Sequence, residues 1–253
     1  MKFRTWLYRK YLFIKNYSVF SQVYFWLYVK AKKNVEPKPI FIIFGMGRVG
    51  STLFIQFLNQ SEGIRADGEI LDKWVLHLRS FILYRAIRSQ EANYCFRVKH
   101  FHINRVQSLS DSSFVNKLKG LSIKFIYIER LNLKKVALSA EVAKATKRYN
   151  SLSNREIKQI QIPIHLLNRE LSYRVKEKAR EVEFLKLVSD VYYHIVYEND
   201  LINLVKQQIT MDSLLTKMGV ETMKVTPNLS RLAKGYESQI ENYAEIQRDF
   251  LRS

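Results

Sequence analysis

The sequence predicts a single α/β domain, and three observations lead there. A chain of 253 residues is long enough for one sizeable core, and 47% hydrophobic content with 13% aromatics excludes a disordered polymer. Short β-branched apolar runs alternate with stretches of helical spacing. The clearest case is Phe41 to Asn59, which reads as a buried parallel strand, a glycine-rich turn and a helix in succession. The chain divides into an amino-terminal stretch, residues 1–34, and the α/β domain proper, residues 35–253.

A formal net charge of +19 predicts attraction to polyanions: nucleic acid, anionic lipid, an acidic glycan or a highly phosphorylated cofactor. The single cysteine, Cys95, excludes a disulfide framework and any multi-cysteine zinc site, and agrees with a reducing compartment. No H-E-x-x-H occurs, and the histidines are scattered apart from His100 and His102, so no structural metal is expected.

In the stretch 1–34, Phe3, Leu7, Tyr11, Ile14, Tyr17, Tyr24 and Tyr28 follow a helical stripe with Arg4, Arg9, Lys10 and Lys15 among them, which predicts an amphipathic helix. The uncharged run Asn16 to Val29 is shorter than the ~20 apolar residues of a membrane span, and it lacks the small-residue cleavage site of a signal peptide. Two readings stay open: a helix packed on the domain, or an interfacial helix whose basic groups meet anionic lipid. Lys30 to Pro39 then forms a charged, proline-bearing linker.

Gly45, Gly47 and Gly50 free the backbone for positive φ and for close approach to a ligand, and the amides at the helix start near Ser51 face the place of a phosphate. A nucleoside triphosphatase needs G-x-x-x-x-G-K-[ST], but Ser51 stands where the lysine should be. Gly45-Met46-Gly47-Arg48-Val49-Gly50 is a literal G-x-G-x-x-G, and a dinucleotide fold then demands an acid ending a second strand about 20 residues on. The segment Ser61 to Glu69 is polar and turn-like, so Asp67 and Glu69 are expected in a loop and that strand is expected to be missing.

A helix follows over Asp72 to Arg88, with Trp74, Leu78, Phe81 and Ile82 on one face. Tyr94 to His102 reads as a second buried strand with a basic end, whose alternation sets His100 and His102 opposite Lys99 and Phe101. A helix over Ser110 to Lys119 ends at Gly120. Ile123 to Ile128 is a third strand, Glu129 to Asn132 its exit, and Leu133 to Lys147 a helix carrying Ser139. Ser153 to Leu187 is charged and mostly helical, interrupted near Pro163; its basic residues form a solvated face or line an acceptor groove. Tyr192 to Tyr197 is a further strand, running into Glu198-Asn-Asp-Leu201, then a helix over Met211 to Met218 stopped by Gly219.

Gly47-Arg-Val-Gly-Ser-Thr-Leu53 resembles the 5′-phosphosulfate loop of the sulfotransferase family, a basic residue followed by S-G-[ST]-[ST], with Val49 in place of the usual serine. The family holds its cofactor's 3′-phosphate with an arginine at a strand end and a serine two turns into the next helix. Arg130 and Ser139 answer that demand, nine residues apart rather than the usual eight, with Leu131 at the commoner arginine position. Tyr197 to Leu201 resembles the family's Y-E-D-L with Asn199 as an extra letter. Ile240-Glu-Asn-Tyr-Ala-Glu245 is similar to the closing I-x-N-Y-x-E of bacterial members.

The resemblance implies a P-loop-like three-layer domain with a mostly parallel central sheet and helices on both faces. It implies 3′-phosphoadenosine 5′-phosphosulfate (PAPS) as donor and no metal. Its cofactor-binding positions here are Arg48, Val49, Gly50, Ser51, Thr52, Leu53, Arg130, Ser139 and Tyr197, with a further basic contact from Arg231 and Lys234. Arg48 would stabilise the leaving group. Glu69 is the favoured base for an acceptor hydroxyl, and Lys99, His100 and His102 form the rival catalytic group. The expected acceptor is a glycan or glycolipid, the setting cytoplasmic or peripheral at the inner membrane face, and nucleic acid is not a partner. Two other classes stay open: an NAD(P)-dependent oxidoreductase using the same glycines, and a non-catalytic polyanion binder.

Overall fold

The computed structural model describes residues 19–32, 38–89, 92–147, 159–188, 190–226 and 236–252. Strand β1 (Ile40–Phe44) is buried along its whole length, as a continuous apolar run at the centre of a parallel sheet must be. β3 (Asn93–Val98) and β4 (Ile123–Glu129) flank it in parallel, Ile40 lying opposite both Tyr94 and Ile123. β2 (Ile64–Asp67) adds to β3 and β5 (Val191–Val196) to β4, so the five-stranded sheet is parallel throughout, in the order β2-β3-β1-β4-β5.

Alternation along the strands sorts the core into two layers. Ile40, Ile42 and Phe44 join Phe96, Val98, Phe125 and Tyr127 beneath α3 (Leu78–Arg88), α4 (Asp111–Leu118) and Phe184 of α6 (Ile164–Leu187). Phe41 and Ile43 join Cys95, Ile126, Ile128 and Ile195 against α2 (Ser51–Leu58), α7 (Leu204–Met218) and the first turn of α5 (Leu133–Thr146). A third cluster ties Leu138 and Val142 of α5 to Leu167 of α6 and to Ile240, Ile246 and Phe250 of the carboxy-terminal segment, whose short helices are α8 (Tyr236–Gln239) and α9 (Tyr243–Ile246).

Four local expectations are corrected. Ile64-Arg-Ala-Asp67 is a strand: only Ile64 and Ala66 turn inward, and pairing with β3 supplies the stability its polar letters hide. α3 starts at Leu78 instead of Asp72, because Val75 and Leu76 spend their amides on the side-chain carbonyls of Gln107 and Gln22. β3 stops at Val98, and a π-helical turn (His102–Val106) replaces the expected strand end. α7 begins at Leu204, capped by the Asn203 side chain on the Lys206 amide, seven residues ahead of the expected Met211.

Helix α1 (Val19–Ala31) packs on α3, with Phe25 and Tyr28 against Tyr84. The rest of the expected amino-terminal helix, residues 1–18, lies outside the described residues. Among the described residues no helix is long and apolar enough to cross a membrane.

Candidate functional site

The carboxyl ends of β1, β3 and β4 gather the charged groups that the strands themselves exclude. The chain leaves β1 against β4 so closely that a Cβ on Gly45 would stand 2.2 Å from the Ile128 carbonyl oxygen. The turn that follows holds Arg48 at φ 74°, a left-handed conformation that costs a non-glycine residue energy and recurs where a site demands it. Gly50, at φ 89°, is the N-cap of α2 and offers no side-chain acceptor to the first helical amides. Those amides, with the positive end of the helix dipole, are left for an anion. Ser51 is buried at this end, Thr52 exposed and Leu53 half-buried, while Val49 turns its side chain wholly into the core. Val49 therefore contributes backbone only.

The second half of the site arrives from β4 and α5. Arg48 Nε donates to Ser139 Oγ at 3.0 Å. Arg130 Nη1 donates to the Arg48 carbonyl oxygen at 3.4 Å, and its guanidinium lies 4.6 Å from the Tyr197 ring centre. Tyr197 also closes over Gly50, where a Cβ would meet its ring at 2.7 Å. Glu198 steers this exit by accepting from the amides of Leu131 and Asn132, and lies 3.6 Å from Arg130 Nε, which is buried with no hydrogen-bond partner. Leu131, at the commoner arginine position, points to solvent. The Asn132 side chain caps α5 on the Lys135 amide and so fixes the helix that carries Ser139.

On the other flank stands Glu69, just past β2. Lys99 Nζ at 2.5 Å and Arg97 Nη1 at 3.0 Å share its Oε1, and His102 Nε2 lies 3.1 Å from Oε2. Burial works to raise the pKa of this carboxyl, but donation from His102 and the charges of Arg97 and Lys99 prevail and draw it down to about 2. His102 Nδ1 accepts the Lys99 amide, so the neutral imidazole carries its proton on Nε2 and donates to Glu69. Glu69, Lys99 and His102, the rival base candidates, thus form one cluster with His102 as orienting partner. The expected alternation fails because the strand has already ended. His100 is diverted to Asp111 at 3.0 Å and does not join them.

Sequence reading missed two cations. Arg97, only 6% exposed, links Glu69 to the turn by donating from Nη2 to the Met46 carbonyl oxygen at 3.1 Å. Burial and the nearby Arg48 lower its pKa against the pull of Glu69. An arginine inside an apolar strand was the available signal. Arg174 of α6 donates to the Gly47 carbonyl oxygen at 3.3 Å and is held by Glu170 at 2.6 Å. Burial first, then Arg97 and Arg174, lower the Lys99 pKa although Glu69 opposes them. The result is a concentration of positive charge around the turn, suited to a multiply charged anion. Arg231 and Lys234 lie outside the described residues.

Asp67, the acid a dinucleotide fold would assign to a ribose, does end a strand. It is engaged elsewhere: Tyr94 donates to it at 2.7 Å and Arg85 at 2.6 Å. No protein-family model matches the chain, and no curated protein matches it.

Proposed function

We propose that the protein is a P-loop-like sulfotransferase that moves a sulfuryl group from PAPS to a hydroxyl of an acceptor, a glycan or glycolipid. The single observation carrying this reading is the junction of Arg48 with Ser139 at 3.0 Å and of Arg130 with the Arg48 backbone at 3.4 Å. Two basic regions distant in sequence meet on one side of the sheet, as a nucleotide phosphorylated at both its 3′ and 5′ positions requires. The donor set fits such a ligand: uncapped helix amides, two guanidiniums and a serine hydroxyl.

The strand order supports the P-loop-like type over the dinucleotide alternative. In the dinucleotide order β2 adjoins β1. Here β3 intervenes, and Asp67 sits on the edge strand with its carboxylate spoken for.

When bound, PAPS supplies the sulfur as an activated mixed anhydride with its 5′-phosphate. Arg48 and the first amides of α2 hold that phosphate and neutralise the charge left on it as its bond to sulfur breaks. Arg130 and Ser139 bind the 3′-phosphate, with Tyr197 setting the plane of the guanidinium. Glu69 takes the proton of the acceptor hydroxyl as its oxygen bonds to sulfur. A carboxylate held near pKa 2 is a weak base. Lys99 turning from Glu69 toward the incoming negative charge lifts part of what depresses this carboxyl, while Arg97 and His102 keep its orientation and the larger share of the depression.

The test is a nucleotide thermal-shift panel beside an acceptor screen with radiolabelled PAPS. Adenosine 3′,5′-bisphosphate is expected to raise the melting temperature and NAD(P) to leave it unchanged. Stabilisation by NAD(P) alone overturns the assignment, and salt-sensitive binding with no preference for the bisphosphate favours a plain polyanion binder.

A further inference from the structure

We infer that helix α1 docks on the surface of an anionic lipid bilayer, an inference that stands independently of the proposed transfer reaction. α1 has apolar side chains on two faces. One face, with Phe25 and Tyr28, is spent on α3. The other is turned outward: Phe20 is 87% exposed, Val23 45% and Leu27 52%, one helical stripe at intervals of three and four. Trp26, also exposed, lies under Lys30, whose ammonium is 3.8 Å from its ring centre. An indole at the depth of lipid headgroups beneath a cation is the arrangement an interfacial helix uses.

Charge selects the partner. Residues 1–35 contain Lys2, Arg4, Arg9, Lys10, Lys15, Lys30, Lys32 and Lys33 and no acid, the first being Glu36. A basic, acid-free stretch beside an apolar helix face matches a negatively charged membrane and repels a second copy of itself.

The helix is also wired to the candidate site. Gln22 of α1 accepts the Leu76 amide at 2.5 Å, and Gln107 accepts the Val75 amide and donates to the carbonyls of Leu71 and Lys73. The segment from Ile70 to His77 is thus stapled between α1 and the end of the turn bearing His102, with Glu69 at its start. The inward face of α1, opposite the proposed lipid face, is therefore tied to the segment that begins at Glu69.

The full-length protein is to be floated with phosphatidylcholine vesicles, with and without about one-third phosphatidylglycerol. Binding to the anionic vesicles, weakened by salt and at least about tenfold stronger than to neutral ones, is expected. Phe20→Glu with Leu27→Glu is expected to reduce it at least about tenfold with an unchanged melting temperature; Lys30→Glu provides a second, surface-only variant with the same direction. Failure to float, equal flotation of wild type and both variants, or a dimer that the double variant dissolves would overturn the inference. None of these readouts depends on sulfuryl transfer, so its failure is distinguishable from failure of the proposed activity.

Discussion

Arg48 and Ser139, 91 residues apart, are joined by a hydrogen bond of 3.0 Å. The bond occupies the ground where the two phosphates of the proposed ligand would meet the protein, so each partner already points at the other's site. Binding exchanges this contact for charge-assisted bonds to phosphate, which are the stronger kind. Arg48→Ala is expected to abolish transfer in a protein that still melts at the wild-type temperature. Ser139→Ala should weaken adenosine 3′,5′-bisphosphate by roughly tenfold, the loss of one hydrogen bond to a charged group. Arg130→Ala should weaken it further. Calorimetric titration of the three variants checks the order, and an unchanged affinity in Arg130→Ala would move the 3′-phosphate site elsewhere.

Glu69→Gln should lower turnover by roughly 10²–10⁴-fold by removing the proton acceptor, and should lower bisphosphate affinity far less, since it touches the turn only through Arg97. Its pairing also contributes to stability. With the carboxyl drawn from 4.5 to about 2, that contribution is complete above pH 4.5 and lost as pH falls from there toward 2. Acid denaturation of Glu69→Gln should therefore lose this part of its pH dependence. A variant that retains wild-type turnover excludes Glu69 as the base.

Gly50→Ala should destabilise the fold by roughly 1–2 kcal/mol through the left-handed backbone alone, with more added where the new methyl meets Tyr197 at 2.7 Å. It should also weaken bisphosphate binding, because the displaced turn misaims the α2 amides. Urea denaturation and titration together test this; an unmoved midpoint contradicts the geometry of the turn.

Glu181 of α6 is 1% exposed, its Oε1 lacks a partner, and Tyr127 donates to its Oε2 at 3.3 Å. Burial raises its pKa to about 8 against the pull of Lys178 and Tyr127. A carboxyl raised from 4.5 stabilises the fold fully below pH 4.5, and that contribution is lost as pH rises toward 8, on the order of 1 kcal/mol per pH unit. Glu181→Gln should flatten the stability profile across that window and melt higher than wild type at pH 8. An identical slope in the variant would mean that Glu181 is ionised in the native protein.

The strand-turn-helix from Ile40 to Leu58 and the pair formed by β4 and α5 were legible because each signals its state locally, through β-branched runs, glycines and a cap. β2 was not: its four residues make a strand only by pairing with β3, which no single sequence displays. The reach of β3 was overestimated for the related reason that Lys99 to His102 keep a strand-like alternation while the Lys99 amide turns back to His102 Nδ1. The face of α6 was the largest omission. Its charges suggest a solvated helix, yet Glu170, Glu177 and Glu181 are buried and Arg174 reaches Gly47. Those contacts span long sequence separations, so composition could reveal the charges without their partners. Spacing alone favoured Leu131 and residue type favoured Arg130; the Arg130 guanidinium reaches the Arg48 carbonyl oxygen while Leu131 points to solvent.

Asn242 donates to the Ile162 carbonyl oxygen at 2.9 Å and accepts the Ile162 amide at 3.0 Å, across 80 residues, while Ile246 and Phe250 back Leu138 and Val142 of α5. The helix presenting Ser139 is therefore braced by a segment that lies far along the chain from it. Closing so long a loop is slow, and its contacts repay the entropy only once made. The sheet can therefore assemble early, while α5 is expected to become fully ordered only once residues 236–252 dock on it. Pulsed hydrogen exchange during refolding should find the Leu138 to Ala143 amides protected no sooner than Ile160 and Ile162, making the bracing of α5 a late event of folding.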